Sequence, residues 1–204
     1  MAHELVDGPK TATKSFLFAH GAGAAMDSRF MQVVAEGVAA SGVRVIRFEF
    51  PYMQRRRETG KRGAPDPAPV LTKFLRDTID EIGGSSLVIG GKSMGGRIAS
   101  MVADEAGVLG VVCLGYPFHP PGSPEKTRTR HLENLRTPTL ILQGTRDSFG
   151  RPEDVAGYKL SPAIRIEWIE DGDHSFKPRA RSGRTEADNV RAAIALVAEF
   201  IAGR

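Results

Sequence analysis

Ser93, Asp147 and His174 are the residues of this 204-residue chain whose types, spacing and order point to nucleophilic chemistry. A serine hydroxyl attacks a carbonyl carbon poorly at neutral pH unless a base takes its proton. An imidazole does this best when a carboxylate on its far nitrogen fixes the tautomer and stabilises the imidazolium that forms. Ser93 lies in GKSMGGR, where Gly91, Ser93 and Gly95 satisfy G-x-S-x-G. The apolar run SLVIG precedes this string and a helical pattern follows it, so the spacing predicts a strand, a sharp turn and a helix. Glycines two residues to either side remove side chains that would collide in such a turn. The N–H of Met94, opening the helix, could then face the oxygen that becomes negative during acyl transfer.

A second such donor is expected from HGAG (20–23), which follows the run SFLFA. Small residues allow that backbone to approach a substrate, and Ala22 is favoured over Gly23 for the role. His20 reads as a residue that holds this loop by side-chain hydrogen bonds. Two other readings of these glycines fit poorly. A phosphate-binding P-loop requires glycine where Ser86 stands, and a dinucleotide fingerprint requires glycine or alanine where Met26 stands.

Of the five histidines, His3 is at the extreme N-terminus, His20 belongs to HGAG, and His119 and His131 lie in or beside a proline-rich stretch. His174, in EDGDHSF, follows the last apolar run and precedes the terminal helical pattern, which is where a base is expected. Asp147 ends PTLILQGTRD, just beyond another apolar run, and is the expected partner of the imidazole. Asp171 and Asp173 are near His174 in the chain, but Asp173 is its direct neighbour and poorly able to face its ring. Both read as loop residues.

Elements to position these groups are legible in the hydrophobic pattern. SFLFAH (15–20), VRVIRF (43–48), SLVIGG (86–91), GVVCLG (110–115), PTLILQ (138–143) and IRIEWI (164–169) predict six strands, separated by amphipathic stretches that close on Gly42, Gly83 and Gly107. A terminal helix from Thr185 to Ala202 aligns Val190, Ile194, Val197 and Ile201 on one face. Near-continuous apolar runs indicate strands covered on both sides. The expected fold is therefore α/β, a doubly wound, mostly parallel sheet of six or more strands with helices on both faces and ligands at the strands' carboxyl ends. One domain over residues 15–204 is expected after an N-terminal extension of 14 residues, with irregular segments at 51–68 and 116–130.

HGAG, GKSMGGR, QGTRD and GDHSF together resemble the lidless α/β-hydrolases, similar in layout to dienelactone hydrolases and small carboxylesterases, over residues 15–200. GKSMGGR is especially similar to a group that includes a testis-expressed protein and a subunit of a histone-acetylating NSL complex. The resemblance implies the fold, a Ser93–His174–Asp147 triad and hydrolysis of an ester or thioester; it does not imply a substrate. The stretch from Gly115 to Arg136 is too short for the cap domain of larger members. A catalytically silent interaction module on the same scaffold is the alternative reading.

The composition, 41% hydrophobic and 25% charged with a net charge of +4, is that of an ordinary globular protein. No run reaches the roughly 18 apolar residues of a membrane span, and no signal peptide precedes the first strand. The lone Cys113, inside GVVCLG, reads as a buried structural thiol, and a cytoplasmic location follows as the expectation. No metal or organic cofactor is implied, and nucleic acid is not an expected partner. Two basic stretches, RRRETGKR (55–62) and KPRARSGR (177–184), follow strands at the active end. Arg55, Arg56, Arg57, Lys177 and Arg179 are the candidate rim residues for an anionic, carboxylate- or phosphate-bearing ester, with a solvated basic surface as the equal alternative.

Overall fold

A computed structural model describes residues 4–204; His3 lies outside them. All six expected strands form: β2 (Ser15–Ala19), β3 (Arg44–Phe48), β4 (Leu87–Lys92), β5 (Gly110–Leu114), β6 (Thr139–Gly144) and β7 (Ile164–Ile169). A seventh, β1 (Glu4–Asp7), lies within the stretch read as an extension and pairs antiparallel with β3 at the sheet edge. Its side chains are mostly exposed, so hydrophobic periodicity gave no sign of it. The ladder to β3 and an ion pair from buried Arg47 to Asp7 (2.9 Å) hold it in place.

The strand order is β1-β3-β2-β4-β5-β6-β7, with every pair after the first parallel. Alternate residues of each strand feed two cores. Leu17, Ile89, Val111 and Ile141 pack beneath α3 (Ala68–Ile82) and α4 (Met94–Ala106). Phe16, Phe18, Val88, Val112, Leu140 and Leu142 pack against α1 (Arg29–Ala39) and α6 (Glu186–Ala202). Burial on both faces explains why these strands read as apolar runs instead of alternating ones. Cys113 is fully buried, and burial pushes its thiol well above the ordinary cysteine range, as suits a structural residue.

One stretch requires correction. Residues 51–68, expected to be irregular, begin with a helix, α2 (Pro51–Thr59), which carries Arg55, Arg56 and Arg57. Pro51 stands in the first turn, where a missing N–H costs nothing, and Gly60 ends the helix in a left-handed conformation (φ 70°). Only Tyr52 and Met53 are buried, too few to leave a helical stripe in the sequence. The segment between β5 and β6 holds no cap, only a short turn of 3₁₀ helix at Arg130–Glu133.

The chain runs from β2 outward to β3, then crosses back to β4 on the other side of β2. β2 and β4 are therefore neighbours, Ala19 opposite Gly91, and their carboxyl ends flank the point where the winding reverses. A crevice forms at such a point in open α/β sheets. HGAG leaves β2 and Ser93 leaves β4 at this place.

Candidate active site

Ser93 caps the N-terminus of α4 with φ 51° and ψ −113°, a conformation L-residues rarely adopt. The turn is held by its neighbours. A Cβ on Gly91 would lie 2.4 Å from the carbonyl oxygen of Ala19, and one on Gly95 would lie 2.6 Å from that oxygen and 2.7 Å from that of His20. Both glycines thus allow the elbow to press against the end of β2, and the Ser93 N–H secures it from the other side by donating to Leu114 O (3.0 Å).

His174 lies in the loop between β7 and α6, as expected. Its Nε2 accepts from the Ser93 hydroxyl at 2.8 Å, and its Nδ1–H donates to Asp147 Oδ2 at 2.8 Å. The Asp147 side chain is fully buried and that of His174 is 24% exposed, so the chain of hydrogen bonds runs from the interior to the surface. Phe149 lies against the imidazole, its ring centroid 4.3 Å away.

Asp147 is oriented by Gln143, a residue sequence reasoning passed over. The Gln143 amide donates to Asp147 Oδ2 (2.9 Å) while its Oε1 accepts from the Tyr116 N–H (2.7 Å), and the Phe149 N–H donates to Oδ1 (2.9 Å). The available signal was a glutamine closing an otherwise apolar strand, which when buried demands partners. Asp173 and Asp171 have the loop roles expected of them. Asp173 Oδ1 accepts from the N–H groups of Ser175 and Lys177, and Asp171 pairs with Arg179. Asn189, fully buried in α6, ties the same loop down by donating to the carbonyls of Glu170 and Phe176.

His20 holds its loop as expected: Nε2 accepts from the Phe50 N–H (3.1 Å) and Nδ1–H donates to Gly21 O (2.7 Å). Burial lowers its pKa, which favours this neutral form. The Tyr52 hydroxyl adds a second tie, donating to Ala22 O (3.0 Å), so the carbonyls of the loop face α2 and its amides are left to face elsewhere. Among the described residues, neither the Ala22 N–H nor the Met94 N–H has a hydrogen-bond partner. Gly23 shares the exposed loop.

Lys92, between strand and nucleophile, donates from Nζ to the carbonyl of His174 (2.7 Å) and so links the two loops of the site. Burial pushes its ammonium down to about 8, against the opposing pull of Asp147 and Asp173. With a folded-state pKa below the unfolded one, the unfolded chain binds more protons between about pH 8 and pH 10. Folding at Lys92 is therefore penalised at neutral pH and relieved as pH rises. The stability of the parent chain relative to Lys92→Met should increase across that window, as measured by urea denaturation at each pH. A constant difference would contradict the depressed pKa.

The basic rim residues do not act as one group. Arg55 pairs with Asp66, Arg57 pairs with buried Glu49 and with Asp27, and Arg179 pairs with Asp171. Arg56 reaches only Gly23 O, at 3.4 Å, and Lys177 is exposed. A groove of about 860 Å³ between α1 and α6 is lined by Arg29, Phe30 and Ile194 among others and includes none of the triad residues. Among the described residues no three His, Cys, Asp or Glu side chains gather as metal ligands, and no helix is long and apolar enough to cross a membrane.

A family profile described as an alpha/beta hydrolase domain matches residues 12–202. The chain belongs to the alpha/beta hydrolase family. The fold of this hydrolase is shared with a dienelactone hydrolase from Anabaena variabilis, at a TM-score of 0.72 and 22% identity over 98% of this chain and 90% of that one. A lidless α/β serine hydrolase from Xanthomonas campestris is similar at 0.69 and 19%, over 95% and 86% of the two chains. A monoacylglycerol lipase from Paleococcus ferrophilus aligns at 0.71 and 15%, over 97% and 98%.

Proposed function

We propose that this alpha/beta hydrolase cleaves a small ester or thioester through an acyl-enzyme on Ser93. The observation that carries the reading is the unbroken run from Ser93 Oγ through the His174 imidazole to Asp147, with 2.8 Å at each link and the carboxylate buried.

In the first half-reaction, Ser93 Oγ attacks the substrate carbonyl carbon as its proton passes to His174 Nε2. The carbonyl oxygen becomes an oxyanion facing the N–H groups of Met94 and Ala22, which have no other partner. Donors already fixed in place stabilise that charge without reorganising. Asp147 stabilises the imidazolium. The tetrahedral intermediate collapses as Nε2–H protonates the leaving alcohol or thiol. Water then attacks the acyl carbon, giving its proton to His174, and a second collapse returns that proton to Ser93 and releases the acid. The α4 dipole adds positive potential at the same oxyanion.

The absence of a cap between β5 and β6 leaves the site roofed by loops, which suits small acyl groups. The single cysteine, buried as a thiol, suits work in a reducing compartment such as the cytoplasm. A panel of p-nitrophenyl esters of increasing acyl length, with matching thioesters, tests the reading. Turnover should be fastest for short acyl chains and preceded by a burst of nitrophenol equal to the enzyme concentration. No turnover of any member would favour a silent module.

A further inference from the structure

We propose that Arg97 and Arg128 form a binding site for an oxyanionic group, a carboxylate or phosphate, carried by the substrate. The proposal rests on the hydrolase reading above and specifies the substrate class of that site.

Arg97 is in the first turn of α4, its N–H bonded to the carbonyl of Ser93 itself (3.1 Å). Side chains on a helix lean back toward its N-terminus, here toward the elbow. Arg128 lies on the segment that leaves β5 and is tied to the same neighbourhood by its backbone: its carbonyl accepts from the Tyr116 hydroxyl (2.9 Å) and its N–H donates to Phe118 O (2.7 Å). Tyr116 follows Gly115, where a Cβ would stand 3.2 Å from His174 Nδ1. The segments that carry the two arginines thus run from the reacting groups, one along α4 and one from the end of β5.

Both residues are half-buried, and burial, then the nearby Arg97, disfavour the charge on Arg128. Among the described residues neither makes an ion pair or a side-chain hydrogen bond. Arg97 Nε is completely buried without a partner, a condition shared with Arg44 at the opposite end of the sheet. Two polar side chains beside the pair, Tyr116 and His131, carry no charge to neutralise it. The Tyr116 hydroxyl already donates to Arg128 O. His131 directs Nε2 to Ser100 Oγ (2.9 Å) and to Tyr116 (3.3 Å), and burial together with Arg97 pushes its pKa down to about 4, so it stays neutral.

The rim arginines named from the sequence differ from this pair. Arg55, Arg57 and Arg179 are neutralised by carboxylates, and Arg56 turns to the carbonyl of Gly23 at 3.4 Å. Among the described residues Arg97 and Arg128 have no carboxylate on their N–H donors, and two guanidiniums match the oxygens of one carboxylate or phosphate. A substrate anchored there by its charge would present its ester one helical turn away, at Ser93.

The test uses the whole enzyme with two esters sharing a leaving group, neutral p-nitrophenyl butyrate and the carboxylate-bearing mono-p-nitrophenyl succinate. The kcat/KM ratio, succinate over butyrate, should fall at least tenfold in Arg97→Gln and in Arg128→Gln, mainly through KM, and be partly restored in Arg128→Lys. Thermal midpoints without ligand report whether each variant folds. A binding arm needs no turnover: succinate or inorganic phosphate should raise the midpoint of the parent chain but not that of Arg128→Gln, and the more effective anion identifies the group recognised. Should no ester be hydrolysed, that arm still decides the site while the hydrolase reading fails. An unchanged ester ratio, or equal anion stabilisation of parent and Arg128→Gln, would overturn the proposal.

Discussion

Ser93→Ala is expected to lose about 10⁶-fold in kcat toward an activated ester while folding like the parent chain. On the proposed mechanism, removing the hydroxyl eliminates the atom that would form the acyl bond and leaves His174 with no proton to take. The fold should be indifferent to the change. The turn is fixed by close approaches at Gly91 and Gly95 and by the backbone bond from Ser93 to Leu114, none of which uses the side chain. Alanine meets the positive φ no worse than serine does. His174→Ala should cost nearly as much, and the double variant little more than either alone, because the two residues act as a unit. Steady-state kinetics on p-nitrophenyl butyrate, with thermal midpoints alongside, measures both. Activity within tenfold of the parent would remove Ser93 from the chemistry.

The second large effect is expected at Asp147. Asp147→Asn should reduce kcat about 10⁴-fold with little change in KM. The buried carboxylate accepts from the Phe149 N–H, the Gln143 amide and the His174 Nδ1–H. An asparagine that keeps its oxygen for the Phe149 N–H places its NH₂ where Oδ2 stood, facing both the Gln143 amide and Nδ1, so the Gln143 bond is lost and Nδ1 is forced to accept. The imidazole proton then moves to Nε2 and faces Ser93, where a base is needed and a donor is useless. Nearly equal volume, the retained Phe149 bond and the remaining bonds of the Gln143 amide to the carbonyls of Tyr116 and Gly150 should preserve the fold. Comparable kcat in the parent and Asp147→Asn would show that the carboxylate does not set the tautomer.

Those three residues were legible because local signals coincided with chain order. The elbow glycines sit at fixed offsets from Ser93, and Asp147 and His174 each follow a strand whose apolar run is unmistakable. The sheet was legible for the same reason, since coverage on both faces leaves runs such as LVIG and VVCL with no polar residue. β1 escaped because it is exposed and held by a ladder and by Asp7 against Arg47, forty residues away. The hint was Arg47, the second of two arginines in the otherwise apolar VRVIRF. α2 escaped because only two of its residues are buried.

The residues that orient the site were hidden more deeply. Tyr52, Lys92, Gln143 and Asn189 act through side-chain hydrogen bonds to the loops of the site, and no periodicity records such contacts. Charge was the most misleading signal. RRRE attracts attention as a cluster, yet Arg57 closes on Glu49 eight residues earlier. Arg97, alone among the apolar and small residues that open its helix, and Arg128, in the short run KTRTR, make no ion pair and no side-chain hydrogen bond among the described residues. A count of charges cannot separate paired from open guanidiniums; their packing does.

Identifying the residue that becomes covalently modified tests the central claim most directly. The enzyme is treated with a fluorophosphonate, which requires a serine activated by its base, and digested for peptide mapping by mass spectrometry. The account predicts one adduct per chain, on Ser93, absent from Ser93→Ala and strongly slowed in Asp147→Asn. No adduct on the folded parent chain, or an adduct on another residue that persists in Ser93→Ala, would contradict it.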